Sequence, residues 1–386
     1  MTRISAVNAA LGEVVEVLVS AVGAKPEKRL WTSHRGAAMS TTVFRAGEGG
    51  FPCVRVPSLL AIPGTSTLLA FAECRLFTGD GCYLDPQHNH SGDERLRLPC
   101  MKRSADGGKS WGSLRSLSAT HGSYPTVVYL PLSKAVLLQY STWPHNESYG
   151  KPLVQQMVST DFGVTWSAPA RVRGVPNAYL GGCRGAVTAR GRVLFAAYNH
   201  TGHPRTFETR VWHSDDGGVT FVTSPDAIHG AAEPGIAAIN ETHVEIVARS
   251  NGALGCACQN RILSDDSGAS WRGRVRNVSD LVSPGCQGSF VADAYSKPVA
   301  RMLYSGPGSP TSRKAMSLWE STDSGARWSR LSRLSSVDAS YSCLETTPEA
   351  VHVLWETGPD SDETRCYGPT CRIVLSTLSR NNEVVQ

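Results

Sequence analysis

The sequence predicts an all-β protein, a six-bladed β-propeller of four-stranded antiparallel blades, and three observations carry that prediction. An eight-residue pattern recurs: SADGGKSW (104–111), STDFGVTW (159–166), SDDGGVTF (214–221), SDDSGASW (264–271) and STDSGARW (321–328). Its copies start 55, 55, 50 and 57 residues apart, the near-constant period of a repeat architecture. Between copies the same order returns, a short apolar run, a turn, a second run, a variable loop, a third run and then the octet. The runs are short and rich in Val, Ile, Leu and Tyr, which is the pattern of an antiparallel meander.

Residues 1–27 read as an N-terminal extension, a strand or a leader remnant; VVEVLVSAVGA (14–24) contains Glu16 and makes a poor signal-peptide core. The propeller is assigned to 28–386, with KRLWTSH (28–34) expected to supply the outer strand that closes the ring. Blade 1 opens at SLLAI (58–62). Blade 2 shows the whole unit: TVVYL (126–130), AVLLQY (135–140), a loop, LVQQMVS (153–159) and the octet. Blade 3 repeats it as GAVTA, RVLFAAY and TRVWHS, and blades 4 and 5 open at GIAAI (235–239) and SFVAD (289–293). A sixth copy, CLETT (343–347), AVHVLWE (350–356) and CRIVLST (371–377), has no octet.

Composition narrows the function classes. Of 386 residues 41% are hydrophobic and 18% charged, enough apolar material for a large core. The net charge of +5 is spread without any Lys/Arg block, which argues against nucleic acid and membrane surfaces and suits a small anionic substrate. No run approaches the roughly 18 apolar residues of a membrane span, so no integral membrane segment is expected. Eleven cysteines lack zinc-ligand spacing. Five sequons, at Asn89, Asn146, Asn199, Asn240 and Asn277, occur among eleven asparagines and point to the secretory pathway, lysosomal or extracellular.

In an up-and-down blade the octet occupies the turn between strands 3 and 4. Five octets spaced around a ring cannot converge on one substrate, so their Ser, Asp and Gly are assigned to holding the turns. Single-copy polar residues on the opposite face become the candidates for chemistry.

The octet S-x-D-x-G-x-[S/T]-W resembles the Asp-box of the sialidase superfamily, with Phe221 replacing Trp and Arg327 replacing Ser/Thr. The opposite face extends the resemblance from about Trp31 to Leu378, closest to the animal lysosomal-type exo-α-sialidases. VRVP (54–57) is similar to the family's F/Y-R-I-P motif and gives Arg55, although Val54 replaces the usual aromatic. LLAFAECR (68–75) is similar to its LLAFAE-x-R segment and gives Glu73 and Arg75, and Asp80 follows at the family's acid/base position. GAAEPGIAAI (230–239) gives Glu233, IVARSN (246–251) gives Arg249, YSGPGSPTSRKAMSLW (304–319) gives Arg313, and SYSCLE (340–345) gives Tyr341.

The resemblance implies a retaining exo-α-sialidase that hydrolyses terminal sialic acids from glycoproteins, glycolipids or oligosaccharides. Arg55, Arg249 and Arg313 would clamp the substrate carboxylate, since guanidinium forks bind carboxylates bidentately and stay charged. Asp80 would be the general acid and then the base. Tyr341, activated by Glu233, would be the nucleophile, in line with the tyrosine exception to two-carboxylate glycosidases. Arg75 and Glu73 would bind substrate or support it. No cofactor and no metal are implied, and His88 and His90 read as a polar loop carrying the Asn89 sequon. A trans-sialidase and a catalytically silent sialoglycan-binding propeller are the alternatives. Protein partners and cysteine connectivity stay open: Cys82 with Cys100, Cys366 with Cys371, and Cys256 or Cys258 with Cys286 are the pairings the spacing suggests.

Overall fold

The computed structural model describes residues 2–7, 14–19, 30–31, 39–76, 84–85, 90–91, 97–142, 152–201, 206–250, 255–271, 273–296, 301–358, 371–380 and 383–384. The chain divides into two compact units. One comprises Met1–Thr32 with Glu383–Gln386 and contains a hairpin of Thr2–Val7 against Val14–Val19 and a short pairing of Leu30–Trp31 with Glu383–Val384. The other, Ser33–Asn382, is a six-bladed propeller.

Each blade runs outward from the axis. The inner strands are Cys53–Ala61, Ser123–Leu130, an interrupted pair in blade 3, Ala231–Ala238, Ser289–Asp293 and Ser342–Thr346. The second strands begin as apolar runs and end in polar residues, and Leu68–Arg75, Ala135–Thr142 and Ala350–Thr357 are buried at every position. Such strands face a neighbouring blade on both sides, so alternation with polar residues is absent. Exposure returns only at the rim, as in Arg276–Val282 and Ser329–Arg333.

The ring closes through Met39–Arg45, which pairs with Arg372–Ser379 as the outer strand of blade 6. This corrects the expectation that KRLWTSH plays that part. Met39–Arg45 brings Val43 and Phe44 into a core cluster with Leu354, Ile373 and Leu375, whereas Leu30–Trp31 of KRLWTSH pairs with Glu383–Val384.

All five octets lie between strands 3 and 4 and share the serine bonds, and the first four add a hydroxyl bond to the aspartate. In the third, the Ser214 hydroxyl donates to Asp216 at 2.7 Å and accepts the Gly218 N–H at 2.8 Å, while the Thr220 hydroxyl donates to Asp216 at 2.5 Å. The glycine also has a reason outside its own turn. A Cβ on Gly218 would stand 2.6 Å from Leu137 of blade 2, and one on Gly163 would stand 2.8 Å from Leu69 of blade 1. Gly108 and Gly268 meet Leu375 and Leu194 in the same way. The octet therefore fastens each blade to the one before it.

Blade 3 departs from the plan. Its inner strand pairs at Tyr179–Leu180, leaves the blade so that Cys183–Arg184 runs parallel to the inner strand of blade 2, and returns at Ala186–Val187. Gly181 and Gly185 make the excursion possible, because a Cβ on either would overlap backbone, of Pro234 and of Leu194 respectively. Cys183 forms a disulfide with Cys343 on the inner strand of blade 6.

Two further disulfides differ from the spacing-based pairings. Cys100 joins Cys74, whose neighbouring strand brings the two Cα atoms to 5.9 Å, rather than Cys82. Cys256 joins Cys258, and Cys286 is a free, buried thiol. Cys371 is disulfide-bonded, and Cys82 and Cys366 lie outside the described residues. Among the described residues no helix is long and apolar enough to cross a membrane.

Candidate active site

Three inner strands carry the same local irregularity, and it is written in the sequence. Val56, Tyr124 and Glu233 each precede a proline and adopt left-handed backbone, with φ of 54°, 52° and 44°. The pairing register slips at each place, between Arg55 and Ser58, Ser123 and Thr126, and Ala232 and Gly235. Proline has no N–H for a ladder, so the strand bulges, bends and re-aims its side chains. Left-handed backbone costs about 1–3 kcal/mol at such positions and is held only where surrounding contacts over-determine it. β-Branched Val56 is the least comfortable of the three.

Two of the bulges are capped by a carboxylate from the preceding blade. Glu356, at the end of the second strand of blade 6, accepts the Val56 N–H at 2.7 Å, Arg55 Nη2 at 2.9 Å and the Tyr341 N–H at 3.2 Å. Glu73 holds the matching place in blade 1. It accepts the Tyr124 N–H at 2.9 Å, the Ser123 hydroxyl at 2.6 Å, Arg75 Nη2 at 2.7 Å and Arg97 Nη1 at 3.1 Å. Burial alone would raise the Glu73 carboxyl, but the Arg97 and Arg75 charges and the two cap bonds outweigh it and hold the group well below the usual carboxylate range.

The strand registers put the candidate residues in one layer of the ring. Arg55 faces Glu73, Ala232 faces Arg249, and the Tyr341 carbonyl accepts the Glu356 N–H at 3.0 Å. Tyr341 is the centre. Its hydroxyl donates to Glu233 Oε1, and Arg249 Nη1 lies 2.8 Å from Glu233 Oε2 and 3.5 Å from the Tyr341 hydroxyl. The guanidinium of Arg55 stands 5.0 Å from the Tyr341 ring centroid, and that of Arg313 5.4 Å. Arg313 is steadied by the Ser340 hydroxyl at 3.1 Å.

Burial pushes the Tyr341 phenol well above its ordinary value, and the Glu233 charge adds to this. The phenol is thus neutral at any working pH, and Glu233 already accepts its hydrogen bond. Burial also works against the Arg249 cation, but Glu233 and Tyr341 overcome this and raise it. Three guanidiniums stand beside Tyr341 with two carboxylates, Glu233 and Glu356, an excess of positive charge that suits an anionic ligand.

Of the residues singled out from the sequence, Arg55, Glu233, Arg249, Arg313 and Tyr341 come together here. Glu73 and Arg75 are fully buried in the seam between blades 1 and 2, where Glu73 accepts from Ser123 and Tyr124. Asp80 lies outside the described residues, as do His88 and Asn89. Sequence reasoning missed Glu356, Arg97 and Ser340. A signal for Glu356 existed: VHVLWE and LLAFAE are both second strands that end in glutamate. Among the described residues no group of three or more His, Cys, Asp or Glu could hold a metal ion.

A family model described as BNR repeat-like domain matches residues 122–353. No curated protein matches the chain in sequence. Solved structures do match in fold. The Hadza microbial sialidase Hz136 superimposes with a TM-score of 0.74 at 20% identity, covering 90% of this chain and 69% of that one. The NanB sialidase from Streptococcus pneumoniae gives 0.69 at 13% identity, covering 89% and 71%. The intramolecular trans-sialidase from Ruminococcus gnavus, in complex with oseltamivir carboxylate, gives 0.66 at 15% identity, covering 89% and 98%.

Proposed function

We propose, from the premise that this chain belongs to the BNR repeat-like domain family, that it is a retaining exo-α-sialidase acting on terminal sialic acids of glycoproteins, glycolipids or oligosaccharides. The observation that carries the reading is the Tyr341 hydroxyl donating to Glu233 among Arg55, Arg249 and Arg313. A sialic acid bears its carboxylate on the anomeric carbon, so an anionic nucleophile would be repelled at the atom it must attack. A neutral phenol avoids that repulsion and gains nucleophilic character as its proton passes to Glu233. The arginines bind the carboxylate and place the anomeric carbon against the phenol oxygen. In this scheme Asp80 protonates the leaving oxygen and then deprotonates the incoming water.

The segment GCAC (255–258), which resembles the H-C-H-C segment of the animal lysosomal-type enzymes, supports an affinity with them. Passage through the secretory pathway is supported by three disulfides among the described residues, since such bonds persist in oxidising compartments. N-glycosidase treatment of protein from a eukaryotic host would then lower its apparent mass.

The deciding assay is release from a fluorogenic sialoside between pH 4 and 7, with and without a galactoside acceptor. Hydrolysis is expected, and Tyr341→Phe should reduce kcat at least about 10³-fold while leaving thermal unfolding unchanged. Acceptor-dependent sialylation would make the chain a trans-sialidase. Binding without release at any pH would make it a silent lectin, and near-normal turnover by Tyr341→Phe would sink the tyrosine mechanism.

A further inference from the structure

Tyr341 and Glu233 belong to blades 6 and 4, and blade 5 stands between them. No strand pairing joins their inner strands directly, so the ladder does not set the spacing across which the phenol must pass its proton. The axial excursion of blade 3 touches both sides. At one end, Gly181 lies so close to the carbonyl of Pro234, the residue after Glu233, that no side chain fits between them. At the other, Cys183 is bonded to Cys343, two residues beyond Tyr341.

Neighbouring bonds hold the crossing in place. Arg184 pairs with Glu345 at 2.6 Å, and the Ser58 hydroxyl of blade 1 donates to the Cys183 carbonyl at 2.5 Å. The Ser289 hydroxyl of blade 5 lies 3.2 Å from Cys183 Sγ and accepts the Leu344 N–H at 2.8 Å. Both cysteines are buried. The five residues from Gly181 to Gly185 thus run from the strand of the base to the strand of the nucleophile.

We infer that the Cys183–Cys343 disulfide is a positioning element for the Tyr341–Glu233 pair, and that fast turnover depends on it. The inference rests on the retaining-sialidase reading of the site. Proton transfer falls steeply with misplacement of the partners, by about 10²-fold for 1 Å. Two of the three clamp arginines are held by other groups, Arg55 by Glu356 and Arg313 by Ser340, so most of the substrate binding should survive loss of the bond.

The test compares wild type with Cys183→Ser/Cys343→Ser and with Cys183→Ala/Cys343→Val, the second pair keeping apolar volume in case the first fails to fold. In folded variants kcat for a fluorogenic sialoside should fall on the order of 10- to 100-fold with KM within about twofold. A readout independent of turnover is the downfield proton resonance of the Tyr341–Glu233 hydrogen bond, assigned by its loss in Tyr341→Phe. It should shift upfield or broaden in the variants, which a bond serving stability alone would not cause. Unchanged kcat together with an unchanged resonance overturns the inference and leaves the sialidase reading standing. If wild type releases no sialic acid, that reading falls by itself and the resonance alone decides: a shift upholds the positioning role, and no shift rejects it.

Discussion

On the octet face, five turns repeat the same Ser, Asp and Gly, with the serine bonded to the aspartate and to the glycine N–H in each. On the opposite face a position also recurs, five residues along each second strand from the partner of the octet serine. There the first four blades carry Glu73, Ser141, Tyr198 and Arg249. Glu356 takes the corresponding place in blade 6. Two of these reach forward as caps in addition to Glu356: Glu73 to the Tyr124 N–H, and Ser141 to the Leu180 N–H at 2.9 Å. One face repeats geometry and residue type, and the other repeats geometry alone. Identical turns fasten blades, whereas a binding site needs different groups around one ligand, so only the first kind of repetition shows in a sequence comparison.

The largest effect expected on the variable face is at Glu356. Glu356→Ala removes a buried carboxylate that accepts from Arg55 and from two backbone N–H groups. Breaking one side of a buried ion pair costs about 3–5 kcal/mol, to be read from denaturant midpoints, and sialoside hydrolysis should be lost as well. A loss of activity with full stability would show that Glu356 acts on the ligand and not as a cap. Acid probes the equivalent cap at Glu73. Its carboxyl is held below the ordinary value of 4.5, so its contribution is present above that value and lost as pH falls through the folded-state value.

On the uniform face the sharpest break is Gly218→Ala, which places a Cβ against Leu137 and forces a side chain onto φ of 88°. Overpacking and left-handed backbone together should cost about 1–3 kcal/mol. The surviving folded fraction should keep wild-type kcat, because the turn lies across the ring from Tyr341. A selective fall in kcat would mean the two faces are coupled. Ser141→Ala should be milder, about 1 kcal/mol for an uncapped Leu180 N–H, measured by thermal unfolding.

The asymmetry between the faces also decides what could be read from the chain. The octets spelled out the repeat period and the blade orientation because turn chemistry is local: a serine, an aspartate and a glycine within five residues satisfy one another. Arg55, Glu233, Arg249, Arg313 and Tyr341 were legible as family-like motifs, each one short. Glu233 could have been read as a loop residue because Pro234 follows it, yet the proline marks a bulge that buries the carboxylate. Cys183–Cys343 was not legible, since 160 residues separate the two and only the glycine-lined excursion brings them together.

The smallest effect concerns the fifth octet, where the uniform face is least uniform. Arg327 stands where the other four have a hydroxyl, and Asp323 accepts the Arg327 N–H at 2.9 Å without the second bond that Thr220 gives Asp216. The blade contact differs too. Gly325 meets no leucine but the guanidinium of Arg261, which donates to the carbonyls of Gly325 and Ser324 and pairs with Glu245. Two contacts therefore fasten blade 5 to blade 4, one from Arg261 to the turn and one from the Trp328 N–H to Asp280 at 3.0 Å. Arg327→Thr restores the missing hydroxyl bond at an exposed site and should raise stability by no more than about 1 kcal/mol. Arg261→Leu supplies the apolar contact of the other octets but strands Glu245, a buried carboxyl that burial already pushes up to about 7 despite its partner. It should therefore destabilise, and the loss should grow as pH rises through 7 and Glu245 must ionise unpaired. If Arg261→Leu proved neutral at high pH, the fifth fastener would be interchangeable with the other four, and the sequence departures at Arg327 and Arg261 would have no structural consequence.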